Sequence, residues 1–376
     1  MERRVVITGI GAVSPFGLGT DSILSAMKEG SSALAHWSDL EEKGYACQVC
    51  ARPPNITDEH KKRYFSDLTI KFLKHDGIIN GSIAAIDAWK DAGLKLDQDE
   101  PDWDAGSVFG IGSSGIDELI KKYVENVDAK QIRRLGSTMV EQLMNSGISA
   151  YLCGFIGLGN HVTTNSSACS TGSEAVIMGY EKIMAGAAKR MLCGGCEGYN
   201  EYSWAGFDAM RVLCRDSNDN PTFGSRPMNA TASGFVAGAG AGALVLEDLE
   251  TAQARGAKIY AEIIGTGLNA GGQRMGGTMT KPNGEGVRRC MQKALTTADI
   301  RPEEIDLISG HLTSTIGDVL EIQNWHAVLG LEGKDFPHIN STKSMIGHCL
   351  GAAGAIELVA LLLEMQEGII HPSLNT

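Results

Sequence analysis

Cys169 sits in TTNSSACSTGSEAV, residues 163–176, where small polar side chains crowd the thiol and a helical apolar period begins at once. A thiol on a strand-to-helix turn meets the free N–H groups and positive end of the helix, which stabilise a thiolate and lower its pKa. The same N–H groups can hold a developing oxyanion. Ser167, Ala168, Ser170 and Gly172 leave room for a substrate to approach. This local context suits a nucleophile and a packed cysteine beneath a tight turn equally, and the chain holds nine cysteines. Nucleophilic chemistry needs partners that manage protons or polarise carbonyls. Two histidines lie in dense polar motifs, His311 in SGHLTST and His348 in NSTKSMIGHCLGAAG, with Lys343 in the second motif. Each alone is weak, because a single histidine is more often structural. One Cys, two His and one Lys from three strand ends make a convergent site.

Those groups can meet only if the strands that carry them end on one edge of a sheet. The chain alternates β-branched runs (4–11, 107–112, 161–165, 190–195, 242–248) with helical segments (20–30, 77–94, 138–154, 172–186). From about residue 255 the alternation starts again: strand KIYAEIIGTG, helix GEGVRRCMQKALTTA, strand IDLISG, helix to Leu329, strand PHINS and a helix from Gly351. This pattern predicts an α/β fold with a largely parallel, covered sheet and its active site at the strand ends. A strand, an Asn-Ser polar turn and a Gly/Ala-rich helix occur around Cys169 and again around His348. That self-similarity predicts a duplicated unit, with residues 1–250 carrying the nucleophile and 251–376 carrying the two histidines.

Bulk composition narrows the function. The 376 residues are 43% hydrophobic and 21% charged, which suits a sizeable globular core. A net charge of −12 argues against a general nucleic-acid binder. No apolar run free of charge is long enough for a membrane span; the stretch 350–365 contains Glu357 and Glu364 and reads as an amphipathic core helix. The N-terminal apolar segment is too short for a signal peptide, so a cytoplasmic location with reduced cysteines is expected. The CxxC pairs Cys47/Cys50 and Cys193/Cys196 are too far apart for a compact zinc ribbon and read as small buried hydrophobes. No metal is expected.

The ordered set RRVVITGIGAVSPFG, SACSTGS, RPMNATASGFVAGAGAGALVLED, HLTST, GDVLE and NSTKSMIGHCLGAAGAIE resembles the β-ketoacyl-[acyl-carrier-protein] synthases of the elongating I/II type. These are condensing enzymes of the thiolase fold, and the resemblance covers essentially the whole chain. It implies a duplicated thiolase-like architecture layered helix–sheet–helix–sheet–helix. It also implies a decarboxylating Claisen condensation of an acyl-enzyme thioester with malonyl-carrier protein. Cys169 would take the acyl chain, and His311 and His348 would polarise the malonyl thioester carbonyl as carbon dioxide leaves. Lys343 would fix the second histidine motif electrostatically, with Glu321 in the network beneath it. Thr313 and Thr315 match positions that hold the phosphopantetheine arm. Ile116 and Phe207 match positions lining the acyl pocket and its neighbourhood, where ordinary core packing is an equal alternative.

The same resemblance implies no bound cofactor, substrates carried on the 4'-phosphopantetheine of an acyl carrier protein, and a homodimer or ketosynthase heterodimer. An acidic enzyme meeting an acidic carrier needs a local positive rim. Arg211 is favoured for docking, and Lys61, Lys62, Arg63, Lys71 and Lys74 read equally as docking groups or a solvated helix face. The sequence departs from the family pattern in several places. Leu312 replaces a glycine, and the segment before Asp318 is one residue short and lacks its proline. Asn229, Ala232, Ser233 and Ala239 replace charged positions, so the buried ion pairs expected there cannot form and the loop network must be rebuilt. The chain ends at IIHPSLNT, ahead of the family's last strands and a Gly-Phe-Gly-Gly turn that supplies an oxyanion N–H and a gating aromatic. These drifts suggest a specialised synthase for a polyene or other secondary acyl product. The alternatives are a thiolase-type coenzyme A acyltransferase, which Cys349 beside His348 keeps open, and a non-elongating partner that shapes a heterodimer's acyl tunnel.

Overall fold

In a computed structural model the described residues are 3–96, 99–113, 118–199, 201–278 and 280–376. Ile116 lies outside them. The central element is a seven-stranded sheet. Its path runs through β1 (Val5–Ser14), β2 (Ala105–Ile111), β3 (Val162–Thr163), β4 (Arg190–Glu197), β5 (Gly240–Asp248) and β6 (Ala261–Ile263), in the order β6-β1-β5-β4-β2-β3. The short strand Gly17–Leu18 pairs with β1.

The expected largely parallel sheet is corrected to a mixed one. β4, β2 and β3 pair in parallel, but β5 inserts antiparallel between β1 and β4. The segment read as the first strand of the second half is also placed differently. β6 pairs antiparallel with β1, Val5 opposite Ile263, and becomes the edge of the first sheet.

Both faces of this sheet are covered, so all ten residues of β1 and all nine of β5 are buried. On one face lie α1 (Asp76–Asp91) and α2 (Gly147–Ile156). They bury Ile78, Ile83, Trp89 and Leu152 against Phe109, Leu192 and Val245. On the other face lie α3 (Thr171–Met184) and, from the far end of the chain, α6 (Ala353–Glu367). Val176, Ile183, Ile356 and Val359 pack there against Ile7, Val108, Met191 and Leu244. The second sheet contains the parallel pair β7 (Leu307–Ser309) and β8 (His338–Asn340). It is tied to α6 by the Asn340 side-chain amide, which donates to Glu364 at 2.8 Å. Two further helices, α4 (Gly284–Ala298) and α5 (Gly317–Leu329), pack on one another. Among the described residues no helix is long and apolar enough to cross a membrane.

The repeated strand–turn–helix units meet through glycine. α3 and α6 cross so closely that a Cβ on Gly172 would lie 2.6 Å from the Ala355 nitrogen, and one on Gly354 would lie 2.0 Å from Ser173 Oγ. Because Gly172 follows Cys169 and Gly354 follows His348, this contact brings the nucleophile turn and the histidine turn together. Overpacking a core typically costs about 1–3 kcal/mol. Gly172→Ala is expected to lower unfolding stability by about that amount in urea titrations; an unchanged midpoint would contradict the close approach.

Candidate active site

Cys169 lies in a single 3-10 turn, Ala168–Ser170, immediately before α3. Thr171 locks this turn: its hydroxyl accepts from the Ser167 amide at 2.8 Å and donates to the Ala168 carbonyl at 2.7 Å. Ala168 adopts φ +52°, in the left-handed region that non-glycine residues seldom occupy. The turn therefore holds the thiol in a strained presentation at a helix start, as the sequence suggested. The expected lowering of its pKa is not found. Burial pushes the Cys169 thiol up, and the Lys343 cation only partly opposes that. The resting group is a thiol rather than a free thiolate.

His348 Nε2 is 3.0 Å from Cys169 Sγ. The histidine is buried and its backbone is clamped by the 236–238 segment: its amide donates to the Val236 carbonyl at 2.7 Å, and the Gly238 amide donates to its carbonyl at 2.9 Å. Its Nδ1 accepts from the Leu350 amide at 3.2 Å. Burial, with Lys343 and His311 nearby, holds its pKa well below the ordinary imidazole value, so the ring is neutral. A neutral ring with Nδ1 accepting must carry its proton on Nε2. His348 thus presents a fixed N–H donor toward Cys169.

His311 stands beside it, ring centroids 5.2 Å apart and planes at 85°. Crowding by protein atoms, then the Lys343 cation, lowers its pKa to about 3. The residue is open to solvent on one side, and this imidazole too is neutral near pH 7. Its main chain is held by α5. Glu321 accepts from the His311 amide at 2.7 Å and the Leu312 amide at 2.9 Å. Asp318 accepts from the amides of Thr313 (2.8 Å), Ser314 (3.1 Å) and Met228 (3.0 Å). Leu312, in place of glycine, is buried. The Thr313 and Thr315 hydroxyls lie 3.0 Å apart.

Lys343 is almost wholly buried, and its ammonium pairs with Glu357 on α6. Glu321 serves the His311 loop by accepting backbone N–H groups; the buried ion pair of Lys343 is with Glu357 instead. Glu357 was missed as a site residue, although a charge inside the apolar stretch 350–365 is the signal that could have found it. Phe235 was missed as well. Its ring contacts His348 at 5.3 Å and Phe207 at 5.4 Å, so Phe207 stands one aromatic ring away from His348.

The loop network around 226–242 is built without charges at Asn229 and Ser233, through the buried guanidinium of Arg226 and the half-exposed Asp216. Arg226 pairs with Asp216 at 2.8 Å and donates to Thr231, Phe223, Ser217 and Ser233. The neighbouring Asn229 amide donates to the Asn375 carbonyl at 2.7 Å. The network is rebuilt around one arginine, whose carboxylate partner, Asp216, lies ten residues earlier in the chain.

Of the proposed docking cations, Lys62, Arg63, Lys71, Lys74 and Arg211 are exposed, and Lys61 lies 3.9 Å from Asp58. Arg211 is two residues before Leu213, which bridges to Phe235 beside the site. The Lys61–Lys74 segment belongs to the outer layer that packs through Phe65 on Phe155.

The ligand atoms of Cys169, His311 and His348 all lie within 4.8 Å of one another, a spacing a tetrahedral zinc could use. The tautomer argues against that chemistry, because the His348 nitrogen facing Cys169 carries a proton and offers no lone pair. What the set can do is present a thiol to an acyl group while two neutral imidazoles offer hydrogen-bond donors to a carbonyl oxygen.

A thiol beside two such histidines on an α/β fold of this kind fits an acyl-transferring condensing enzyme. The N-terminal domain of beta-ketoacyl synthase matches residues 2–252, and the C-terminal domain of the same family matches residues 260–376. The chain is 37% identical over 381 aligned residues to 3-oxoacyl-[acyl-carrier-protein] synthase 2 of Rhizobium meliloti, covering 99% of this chain and 89% of the relative. It superposes on a beta-ketoacyl synthase from Burkholderia phymatum with a TM-score of 0.87 at 32% identity, covering 99% of this chain and 88% of the other. A type II polyketide ketosynthase, solved with its acyl-carrier protein and bound to the hexaketide, superposes with a TM-score of 0.84 at 28% identity, over 100% of this chain and 89% of the other. The chain belongs to the beta-ketoacyl synthase family.

The Lys343–Glu357 pair can be tested directly. Removing one partner of a buried pair strands the other charge and typically costs about 3–5 kcal/mol. Glu357→Ala is expected to lose about that much stability, and adding Lys343→Met is expected to restore part of it. Additive losses in this double-mutant cycle would show that the two charges are not coupled.

Proposed function

We propose that this β-ketoacyl synthase condenses an acyl group held on Cys169 with malonyl-carrier protein to give 3-oxoacyl-carrier protein and carbon dioxide. The observation that carries the proposal is the His348 Nε2 donor 3.0 Å from Cys169 Sγ, with the His311 ring beside it. In the first half-reaction Cys169 sulfur attacks the acyl thioester. Its proton leaves with the thiol of the carrier's phosphopantetheine, so no free thiolate need accumulate. The amides at the start of α3 stabilise the charge that develops.

In the second half-reaction the malonyl carboxylate leaves as carbon dioxide and its electron pair passes to the thioester carbonyl. The resulting enolate oxygen takes hydrogen bonds from the two neutral imidazoles. The carbanion attacks the acyl-Cys169 carbonyl, the C–S bond breaks, and the departing thiolate takes one proton from solvent to restore the thiol. Lys343 and Glu321 act by positioning: the first fixes the His348 turn with Glu357, and the second fixes the His311 backbone. Thr313 and Thr315 fit hydrogen bonding to the phosphopantetheine arm, Phe207 is assigned to the acyl chamber, and Ile116 is assigned there on the family resemblance alone.

The relatives named above include fatty-acid-type synthases and a polyketide ketosynthase solved with its acyl-carrier protein. They support a carrier-bound substrate here. We place Arg211 on the carrier's docking rim, with Lys61, Lys62, Arg63, Lys71 and Lys74 as further candidates. We also propose work in the cytoplasm, a dimeric assembly, division into thiolase-like halves at about residue 250, and a specialised secondary acyl product. The presence of the full Cys-His-His set weighs against a non-elongating partner subunit and against a thiolase-type coenzyme A reaction. Cys349 is buried and directs its Sγ toward the Ala239 carbonyl at 3.5 Å.

Intact-mass analysis with acyl- and malonyl-carrier protein tests the reading. An acyl adduct on the wild type, absent from Cys169→Ala, and a 3-oxoacyl product two carbons longer are expected. No adduct on the wild type would overturn it. His348→Ala is expected to retain acylation while losing decarboxylation by at least about a hundredfold, the scale of one oxyanion donor. Equal loss of both half-reactions would reverse the assignment of that histidine.

A further inference from the structure

We propose that Glu197 is a positioning residue of the condensing site, its carboxylate holding the loop at Gly112 and Ser113 and the turn at Gly351 in one arrangement beneath Cys169. The residue ends β4, and its side chain is 1% exposed. One carboxylate oxygen accepts from the Ser113 amide and the Ser113 hydroxyl, each at 3.2 Å. The other accepts from the Gly351 amide at 3.1 Å. The Gly112 backbone also donates to the carboxylate. Among the described residues no cation pairs with it.

Both tethered segments feed the site. Gly351 is three residues past His348, at the approach to α6. Gly112 follows β2, and its carbonyl accepts from Ser166 Oγ in the nucleophile loop at 3.3 Å. Ser113 Oγ lies 3.2 Å from Ser203 Oγ, on the helix Glu201–Ala209 that carries Phe207. The packing leaves no slack. A Cβ on Gly112 would lie 2.3 Å from a Glu197 oxygen, and one on Gly195 would lie 2.4 Å from the Gly351 carbonyl and 3.1 Å from the Gly172 Cα.

Burying a carboxylate without a cation is costly, and here burial raises its pKa to about 7. An apolar side chain would fill the space at lower cost but could not accept from two separate loops. The electrostatics therefore favour a role in register over one in packing.

The inference rests on the condensation reading, so its test compares half-reactions separately. Glu197→Gln keeps the volume but turns N–H hydrogens toward either Ser113 or Gly351. Rates are expressed per Cys169 titrated by iodoacetamide, which removes the contribution of misfolded protein. Leaving buried donors unsatisfied costs enough for an effect of roughly tenfold. Glu197→Gln is expected to lower kcat about tenfold with the KM for malonyl-carrier protein within about twofold. The ratio of single-turnover acyl transfer from hexanoyl- and dodecanoyl-carrier protein is expected to shift by at least about threefold.

An unchanged kcat and an unchanged ratio per titrated site would overturn the proposal, as would a loss confined to the number of titratable sites. If Glu197→Gln does not fold, Ser113→Ala removes one hydroxyl donor and is expected to shift the ratio in one direction by about twofold. No shift there would overturn it too. If the wild type acylates Cys169 but forms no 3-oxoacyl product, the condensation reading fails while the acyl-transfer ratio still decides Glu197.

Discussion

The hydrogen bond from the Leu350 amide to His348 Nδ1 sets the chemistry of the whole site. It occupies the nitrogen that would otherwise be basic and leaves the proton on the nitrogen facing Cys169. The ring is then a donor, able to hold a thiolate, a tetrahedral oxyanion or an enolate oxygen. That bond exists because Leu350, at φ +48°, turns the chain back after His348 and aims its amide at the ring it has just passed. The rest of the fold keeps this small turn in place. The 236–238 segment clamps the His348 main chain, Lys343 and Glu357 brace the turn from below, and α6 carries its far end against α3.

Burial is what makes these groups useful and also what must be managed. It holds the His348 imidazole neutral and raises the Cys169 thiol, and the one buried cation beside them, Lys343, is paired with Glu357 one step away from the sulfur. The carboxylates Glu321 and Asp318 face backbone amides rather than cations. They rigidify the His311 loop, freeing its imidazole to face the substrate. Glu321 and Asp318 therefore act as scaffolding for a loop that forms no regular structure.

Much of this was legible in the sequence because it follows from short-range pattern. The strand–turn–helix units around Cys169 and His348 appear as polar turns between a β-branched run and a Gly/Ala-rich helix, and the helix Gly284–Ala298 falls where its apolar spacing puts it. The family motifs brought His311, Lys343 and Glu321 to the right neighbourhood. What stayed hidden depends on contacts between distant segments. The insertion of Gly240–Asp248 antiparallel between two strands is a matter of topology, which local propensity does not encode. The pairing of Lys343 with Glu357 depends on which face of α6 points inward. The raised thiol of Cys169 reflects burial that no helix-terminus argument contains. The Arg226–Asp216 pair escaped because replaced charges were sought at their family positions, and the carboxylate sits earlier in the chain.

Nitrogen NMR of histidine-labelled protein, following the two ring nitrogens of His348 from about pH 5 to pH 8, is the most direct check on a donor imidazole at the centre of the site. A neutral ring protonated on Nε2 throughout that range is expected. A ring protonated on Nδ1, or an imidazolium appearing near the ordinary histidine pKa, would contradict it.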